Sequence, residues 1–202
     1  MAIPLLLLAY VLGSVPTGVL LSRTVGIDPR RAGSGNIGAT NVARTAGRWL
    51  GLLTLLGDAL KGALPVWLAQ RVTSDPALPA FVGLATIAGH LWSCFLQFRG
   101  GKGVATAFGV FLMLAPSAVG IALIGFLVTA VATRYVSLAS MVAAGVLPLS
   151  SFALAGNGWI AIAALLTALA IIGKHRDNAR RLVSGTEPKF GSTRAQESGA
   201  AR

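Results

Sequence analysis

The chain alternates between long, almost uncharged hydrophobic stretches and short polar or basic ones. Seven hydrophobic stretches follow one another, each ended by a glycine, a proline or a polar or basic residue: residues 3–22, 50–69, 80–98, 104–115, 117–133, 137–155 and 159–173. A helix of about 20 apolar residues crosses a bilayer. The pattern therefore predicts an all-α polytopic membrane protein with about seven transmembrane helices.

Three of these stretches are irregular. The first is interrupted by Gly13, Pro16 and Gly18, which indicates a helix break or close helix packing. The second carries Asp58 and Lys61, which are three residues apart and share a helix face, so we expect them to pair inside the protein. The fourth rises only about 18 Å as a helix, against a core of roughly 30 Å. A five-span fold, with stretches four and five forming one re-entrant hairpin, therefore stays open.

Composition agrees with a membrane protein. Hydrophobic residues make up 54% of the 202 residues and charged residues 11%, whereas soluble domains have about 25% charged residues. We expect one integral membrane domain over residues 1–190 and a polar, disordered tail over residues 191–202. The apolar N-terminus has no charged leading region and no cleavage signal, so we interpret it as a retained span.

The basic residues predict the orientation. In a seven-span fold, nearly all loop arginines and lysines fall on one face and only Arg71 falls on the other. The positive-inside rule makes the basic face cytoplasmic. The N-terminus is then outside and the C-terminus cytoplasmic, and the five-span alternative gives the same sidedness.

Charge and cysteine content narrow the possible partners. The net charge of +11 suits anionic lipid surfaces and anionic substrates. Nucleic acid is the weaker interpretation, because the charge lies in loops between spans. The single cysteine, Cys94, excludes an internal disulfide. With two histidines and six acidic residues, we expect no metal site and no cofactor.

The most informative loop follows the third stretch and reads GHLWSCFLQFRGGKGVAT over residues 89–106. Gly100, Gly101 and Gly103 allow close backbone approach to a ligand, and Lys102 adds a positive charge. The next apolar run places a helix N-terminus at the same point. The spacing does not match a Walker A loop. The stretch indicates a phosphate site at the membrane edge, and the alternative is a flexible basic turn.

The loop after the first stretch reads GSGNIGATNVAR over residues 33–44. Its GxGxxG spacing does not indicate a dinucleotide site, because no buried strand precedes it. Ser34, Asn36, Asn41 and Arg44 offer hydrogen-bond donors that suit a small polyhydroxy phosphate. The alternative is helix capping by Ser34 and Asn36, with a positive-inside arginine.

The segment after the seventh stretch reads KHRDNARR, followed by GTEPK. His175 and Asn178 are three residues apart, so one helix face presents both. The alternative interpretation is that the basic residues contact lipid headgroups.

These three segments resemble the three signature motifs of the acyl-phosphate:glycerol-3-phosphate acyltransferase (PlsY) family. The motifs correspond to residues 34–44, 89–106 and 174–189, and the GSVPTG and DALKG segments of the first two stretches fit as well. The resemblance covers about residues 5–190. Two positions depart from the family pattern, which usually has proline at Ser93 and lysine at Arg99.

The resemblance implies acyl transfer from a fatty acyl-phosphate to the 1-hydroxyl of sn-glycerol 3-phosphate, giving lysophosphatidic acid and phosphate. This is the first acylation of bacterial phospholipid synthesis, carried out at the cytoplasmic face of the plasma membrane without acyl-CoA or metal. The implied catalytic residues are Ser34, Arg44, Lys102, His175 and Asn178. The implied substrate-binding or supporting residues are Asn36, Asn41, Gly100, Gly101, Gly103, Ser137, Ser140 and Glu187.

Two further expectations concern mechanism and class. No serine or cysteine has a base and an orienting acid at a recognisable spacing, so we expect the substrate hydroxyl to attack directly. The sequence leaves open whether His175 or a substrate phosphate accepts the proton. A carrier without chemistry is the competing class, but the paired broken helices of two related halves are not evident in the sequence.

Overall fold

The computed structural model describes residues 2–191, which form only helices and connecting loops. The predicted disordered tail, apart from Gly191, lies outside the described residues. The helices are α1 Ala2–Ser14, α2 Thr17–Arg23, α3 Ala39–Thr45, α4 Arg48–Val72, α5 Leu78–Leu91, α6 Val104–Leu114, α7 Pro116–Thr133, α8 Val136–Leu154, α9 Gly158–Lys174 and α10 Arg176–Val183, with a short 3₁₀ helix at Cys94–Leu96.

Hydrophobic patterning located these helices well. Five segments of the described chain are long and apolar enough to cross a membrane: Ala2–Arg23, Arg48–Val72, Leu78–Leu96, Pro116–Thr133 and Val136–Leu154. Helices α9 and α10 add a sixth if the pair, bent by 56°, is one span. The all-helical membrane fold is confirmed, while the count of seven spans and the orientation stay predictions.

Helix α6 is short and begins beside the middle of α4. A Cβ atom on Gly62 would lie 2.2 Å from the carbonyl oxygen of Thr106, so the backbones of α4 and α6 are in contact at this point. Near the other end of α6, Gln70 donates to the carbonyl of Met113 over 3.0 Å. Eleven residues rise only about 16 Å. The glycine-rich turn that precedes α6 therefore lies deep, at the level of Asp58 and Lys61.

The predicted break in the first span is present between α1 and α2, at Val15 and Pro16. Carbonyl groups freed by the break need partners, since water is excluded from the bilayer core. Lys61 donates to the carbonyl of Val15 over 2.7 Å. Ser93 donates to the carbonyl of Ser14 over 2.6 Å. The expected Asp58–Lys61 ion pair is confirmed at 2.8 Å.

The carboxyl end of α5 is held by three partners from other parts of the chain. The carbonyl of His90 accepts the N–H of Gly101 at 3.0 Å. The carbonyl of Leu91 accepts from Lys174 at 2.8 Å, and that of Trp92 accepts from the Tyr10 hydroxyl at 2.6 Å. These bonds fix the glycine turn and the end of α9 against the same helix terminus.

The loops sort into two ends of the bundle. Asn157 donates to the carbonyl of Pro76 over 3.0 Å, which places the α8–α9 and α4–α5 connections together. At the other end, Arg134 and Phe190 exchange hydrogen bonds, which joins the α7–α8 turn to the C-terminal segment. The second end carries the three motif segments and most of the basic residues.

We expect labelling to show the basic end in the cytoplasm. In a Cys94→Ser background, a cysteine at Ala46 should react with a membrane-impermeant maleimide only in inverted vesicles, whereas one at Ser74 should react in intact cells. The reason is the one-sided distribution of arginine and lysine. Labelling of position 46 in intact cells would contradict the predicted orientation.

Candidate active site

The basic end of the bundle contains a cavity of about 1540 Å³. Its polar wall comes from the first loop, the glycine turn, the start of α8 and the α9–α10 junction. The predicted site residues on this wall are Ser34, Asn36, Asn41, Arg44, Lys102, Gly103, Ser137, Ser140, His175, Asn178 and Glu187. Segments far apart in the sequence therefore meet at one site, as the motif spacing alone could not establish.

The first loop is organised around Asn41. Its amide nitrogen donates to the carbonyls of Pro29, Ala32 and Asn36 at 2.8–3.0 Å, and its oxygen accepts the N–H of Ser34 at 2.9 Å. Asn41 was predicted to bind or support the substrate. Its polar atoms are used inside the loop and the residue is 3% exposed, which favours the supporting role. It holds Ser34 in place against the cavity.

Three other side chains of this loop remain open to a ligand. Arg44, in the last turn of α3, is exposed and lines the cavity. The hydroxyl of Ser34 lines the same wall. The oxygen of Asn36 accepts the N–H of Gly38 at 2.8 Å, which leaves its amide nitrogen as the ligand-facing donor.

The glycine turn presents fewer amides than predicted. Gly103 takes a φ of +83° and caps α6, a conformation that favours glycine. The first turn of α6 has amides without helical partners, and Gly103, Val104 and Ala105 line the cavity. Gly101, in contrast, donates its N–H to His90. The prediction that Gly101 offers its amide to a ligand is therefore wrong.

Gly100 is also a packing residue. A Cβ atom there would lie 2.0 Å from the carbonyl oxygen of His90, so only glycine allows the turn to pass the end of α5. Gly100 and Gly101 position the turn, and the amides without a helical partner that line the cavity are those at the start of α6, where a helix N-terminus favours an anion.

A hydrogen-bonded chain joins the glycine turn to α10. Lys102 donates to the side-chain oxygen of Asn178. The amide nitrogen of Asn178 donates to Glu187 at 2.7 Å, and the other Glu187 oxygen accepts from Arg181 at 2.7 Å. Sequence reasoning missed Arg181, although its place three residues after Asn178 on the same helix face was a usable signal.

The geometry around His175 fixes its tautomer. The residue is 3% exposed, and its Nδ1 lies 2.8 Å from the carbonyl oxygen of Ile171. A carbonyl only accepts, so Nδ1 carries the proton. The other ring nitrogen, Nε2, is then an acceptor in the neutral ring. His175 thus offers the cavity a hydrogen-bond acceptor among donors.

The two serines of α8 differ in their availability. Ser140 donates to the carbonyl of Val136 over 2.8 Å. The hydroxyl of Ser137 is buried and makes no hydrogen bond of ordinary geometry within the described chain. Ser137 is therefore the better ligand-binding candidate of the pair.

Glu187, which lines the polar wall of the cavity, is held in its charged form. Burial would raise the pKa of Glu187, but the nearby Ser137 hydroxyl and the hydrogen bonds from Asn178 and Arg181 outweigh it and lower the pKa.

In the first loop, a hydrogen bond from Arg30 holds the pKa of Asp28 well below its usual range, as expected for an aspartate among arginines.

Replacing Glu187 by glutamine should lower the free energy of unfolding in detergent by about 1–2 kcal/mol at pH 7, because one amide oxygen replaces two charged acceptors. A carboxylate whose pKa is lowered by folding stabilises the folded protein fully at a pH above the pKa it has in the unfolded chain, about 4.3. That stabilisation is lost as the pH falls through the lowered pKa of the folded state. The difference between wild type and Glu187→Gln should therefore shrink below about pH 4.3. A difference that does not change with pH would contradict the ionic role.

Another part of the cavity wall is apolar. It is formed by α6, α7 and α8 through Ala107, Phe108, Val119, Leu123, Ala144 and Leu147, among others. Small side chains on α8 leave room between the helices. The site therefore combines cations and hydrogen-bond donors at one end with an apolar channel at the other, which suits an anionic headgroup joined to a hydrocarbon chain.

Within residues 2–191, no three histidine, cysteine, aspartate or glutamate side chains gather as a metal site would require. Cys94 is exposed in the short 3₁₀ helix and does not line the cavity.

Comparison with known families gives one consistent result. The family model described as glycerol-3-phosphate acyltransferase matches residues 3–185. The glycerol-3-phosphate acyltransferase of Trichlorobacter lovleyi is 54% identical over 90% of this chain and 94% of its own length. That of Geobacter sulfurreducens is 50% identical over 90% of this chain and 94% of its own length.

Two solved structures share the fold. Both are crystal structures of PlsY, an integral membrane glycerol 3-phosphate acyltransferase. The glycerol 3-phosphate form has a TM-score of 0.90 and 39% identity, covering 94% of this chain and 96% of that one. The lysophosphatidic acid form has a TM-score of 0.88 and 38% identity, covering 94% and 95%.

Proposed function

The chain belongs to the glycerol-3-phosphate acyltransferase family, and from that premise we propose that its acyl donor is a fatty acyl-phosphate. The acceptor is the 1-hydroxyl of sn-glycerol 3-phosphate, and the products are lysophosphatidic acid and inorganic phosphate. The observation that carries the proposal is the cavity itself, where Lys102 and the N-terminus of α6 stand at the junction of its polar and apolar parts.

The two phosphates are assigned by their surroundings. The apolar channel begins beside Val104 and Phe108, so a donor whose acyl chain follows α6 places its phosphate at the α6 amides and Lys102. Arg44 and Ser34 line the part of the polar wall that the first loop forms and would receive the phosphate of glycerol 3-phosphate. Arginine suits that role because its planar fork binds phosphate through two hydrogen bonds.

The reaction needs little from a protein base. The 1-hydroxyl oxygen attacks the acyl carbon, the bond from that carbon to the phosphate oxygen breaks, and the hydroxyl proton leaves on the released hydrogen phosphate. His175 Nε2 accepts the hydrogen bond of the attacking hydroxyl and orients it. Lys102, supported by Asn178, stabilises the negative charge that develops on the acyl oxygen and the leaving phosphate.

We also propose that transfer is direct and that neither acyl-CoA nor a metal takes part. Cys94 does not line the cavity. Ser140 donates to a backbone carbonyl, and Ser137 lies near Glu187, whose lowered pKa makes it a poor base. An acyl-phosphate is already activated, so a covalent enzyme intermediate would add a step without lowering a difficult barrier.

The protein is an integral membrane protein by its spans and family, and we place it in the bacterial plasma membrane with the cavity on the cytoplasmic side. The basic residues around the cavity support that placement. They would also hold the enzyme against anionic headgroups, close to its lipid product.

Donor specificity tests the proposal. Purified protein in detergent should form lysophosphatidic acid from palmitoyl phosphate and glycerol 3-phosphate, and should form none when palmitoyl-CoA replaces palmitoyl phosphate. Omitting glycerol 3-phosphate is the matched control and should stop product formation. Equal rates with both donors, or activity with palmitoyl-CoA alone, would refute the acyl-phosphate assignment.

A further inference from the structure

A group of buried ionisable side chains lies beneath the glycine turn and takes no part in the chemistry described above. Asp58 and Lys61 of α4 are paired at 2.8 Å, and His90 Nδ1 of α5 lies 3.8 Å from the same Asp58 oxygen. Asp58 and His90 are each 3% exposed, yet both line the floor of the cavity. Buried polar groups in this position need an explanation.

His90 contacts the glycine turn through both backbone and side chain. Its carbonyl accepts the N–H of Gly101 at 3.0 Å. Its ring nitrogen Nε2 lies 2.3 Å from the place that a Cβ atom on Gly101 would occupy. The ring therefore presses directly on the residue that precedes Lys102.

Gly101 is also in contact with the first loop. Ile37 Cγ1 lies 3.2 Å from the same Cβ position, and Ile37 is 4% exposed. The backbone of the glycine turn is thus wedged between the His90 ring on one side and the loop that carries Ser34 and Arg44 on the other. A shift of the His90 ring would therefore change the distance between the glycine turn and the first loop, which both contribute to the polar wall.

Asp58 and Lys61 connect the same group to the break in the first span. Lys61 donates to the carbonyl of Val15 at the break. The helix that follows, α2, packs on the first loop, since a Cβ atom on Gly18 would lie 2.0 Å from the carbonyl oxygen of Ile37. Lys61 therefore links Asp58, through the ion pair, to the break that precedes α2, the helix that leads into the first loop.

A simple counter-ion pair would not need His90. Its Nδ1 has no hydrogen-bond partner within the described chain and lies 3.8 Å from the carboxylate of Asp58, a negative charge that favours the tautomer with the proton on Nδ1. In a low-dielectric interior this attraction is stronger than in water, and it favours the ring orientation that turns Nδ1 toward Asp58.

We infer that Asp58 and His90 are positioning residues for acyl transfer. Asp58, held by Lys61, orients the His90 ring, and the ring fixes Gly101. This sets the position of Lys102 and the α6 amides relative to Ser34 and Arg44. The inference rests on the proposed function, and it predicts that loss of the ring misplaces groups that act in the transition state, where a misplacement of about 1 Å costs about 100-fold in rate.

Steady-state kinetics with palmitoyl phosphate and glycerol 3-phosphate tests it. His90→Leu should lower kcat by about 10- to 100-fold while the KM for each substrate changes less than about threefold, because the phosphate-binding groups themselves remain. Thr86→Ser is the matched control, since Thr86 is fully buried on α5 one turn earlier. That variant should keep the wild-type kcat. A wild-type kcat in His90→Leu would overturn the inference.

Two amide variants keep the test valid if His90→Leu folds poorly. Glutamine places its amide near the Nε2 position, which contacts Gly101, whereas asparagine places it near Nδ1, which faces Asp58. His90→Gln should therefore retain more of the wild-type kcat than His90→Asn. The opposite order would show that contact with Gly101 is not what His90 provides.

A double variant separates positioning from simple charge balance. Asp58→Asn leaves Lys61 without its counter-ion, and adding Lys61→Met removes that charge. If Asp58 and Lys61 only balance each other's charge, the double variant recovers the wild-type kcat. Positioning predicts a kcat still reduced at least about 10-fold, with thermal stability recovered only in part because the Val15 carbonyl has lost its Lys61 donor. Full recovery of kcat would overturn the positioning role.

Wild-type protein in the same assay distinguishes failure of this inference from failure of the proposed function. An inactive wild type with every acyl-phosphate would refute the function and, with it, this inference. An active wild type with unaltered His90 and Asp58 variants would refute the positioning role alone.

Discussion

Lys102→Met should lower kcat by about 30- to 1000-fold and leave the protein folded. Lys102 stands between the N-terminus of α6 and Asn178 at the junction of the polar and apolar parts of the cavity. Removing a charged donor from a developing negative charge costs roughly 2–4 kcal/mol. Methionine keeps most of the side-chain volume, so packing beside α10 changes little.

Arg99→Met is the matched control for this prediction. It removes one positive charge three residues earlier on the same turn, where the side chain is exposed and contributes little to stability. Rates of phosphate release and thermal stability in detergent should be measured for both variants. Equal rates for Lys102→Met and Arg99→Met would show that Lys102 contributes only as one positive charge among others, and would contradict its role in binding phosphate.

His175→Ala should lower kcat by about 100-fold, because the attacking hydroxyl loses the acceptor that orients it. The bond from Nδ1 to the Ile171 carbonyl shows which nitrogen is free to accept. His175→Gln offers an amide oxygen that can accept a hydrogen bond but cannot take up a proton under these conditions.

The two variants together separate orientation from base catalysis. If His175 mainly orients the hydroxyl, His175→Gln should recover part of the rate that His175→Ala loses. If His175 must take the proton, both variants should be equally slow. Single-turnover rates with saturating glycerol 3-phosphate give the comparison, and wild-type rates in His175→Ala would contradict either role.

Much of the fold could be predicted because a membrane imposes a strong pattern. Spans show as apolar stretches, and breaks show as glycine and proline within them. The depth of α6 could not be predicted, because it depends on the contacts of Thr106 with Gly62 and of Met113 with Gln70. Those contacts join residues more than 40 positions apart.

The sequence predicted which residues lie at the candidate site better than it predicted what each residue contacts there. Lys102, His175 and Asn178 line one cavity, as the motifs indicated. Gly101 was predicted to offer its amide to the substrate, and Asn41 to bind or support it, yet the polar atoms of both residues are used by backbone groups of the fold. A sequence shows which atoms can form hydrogen bonds, but the choice of partner is made by tertiary structure.

His90 and Arg181 illustrate what the sequence left unnoticed. His90 lies in an apolar stretch, where a lone histidine resembles an ordinary buried residue, and only its contact with Gly101 reveals its position beneath the turn. Arg181 is one of the basic residues for which lipid contact was the alternative interpretation, and the sequence assigned it no role of its own, whereas its guanidinium donates to Glu187 at the cavity.

Direct acyl transfer within the cavity is the central claim, and incubation of the purified protein with acyl-labelled palmitoyl phosphate tests it most directly. Without glycerol 3-phosphate, the denatured protein should carry no label and no phosphate should be released. Addition of glycerol 3-phosphate should start both phosphate release and lysophosphatidic acid formation, in equal amounts. A stoichiometric acyl label on the protein, which glycerol 3-phosphate then removes, would contradict direct transfer.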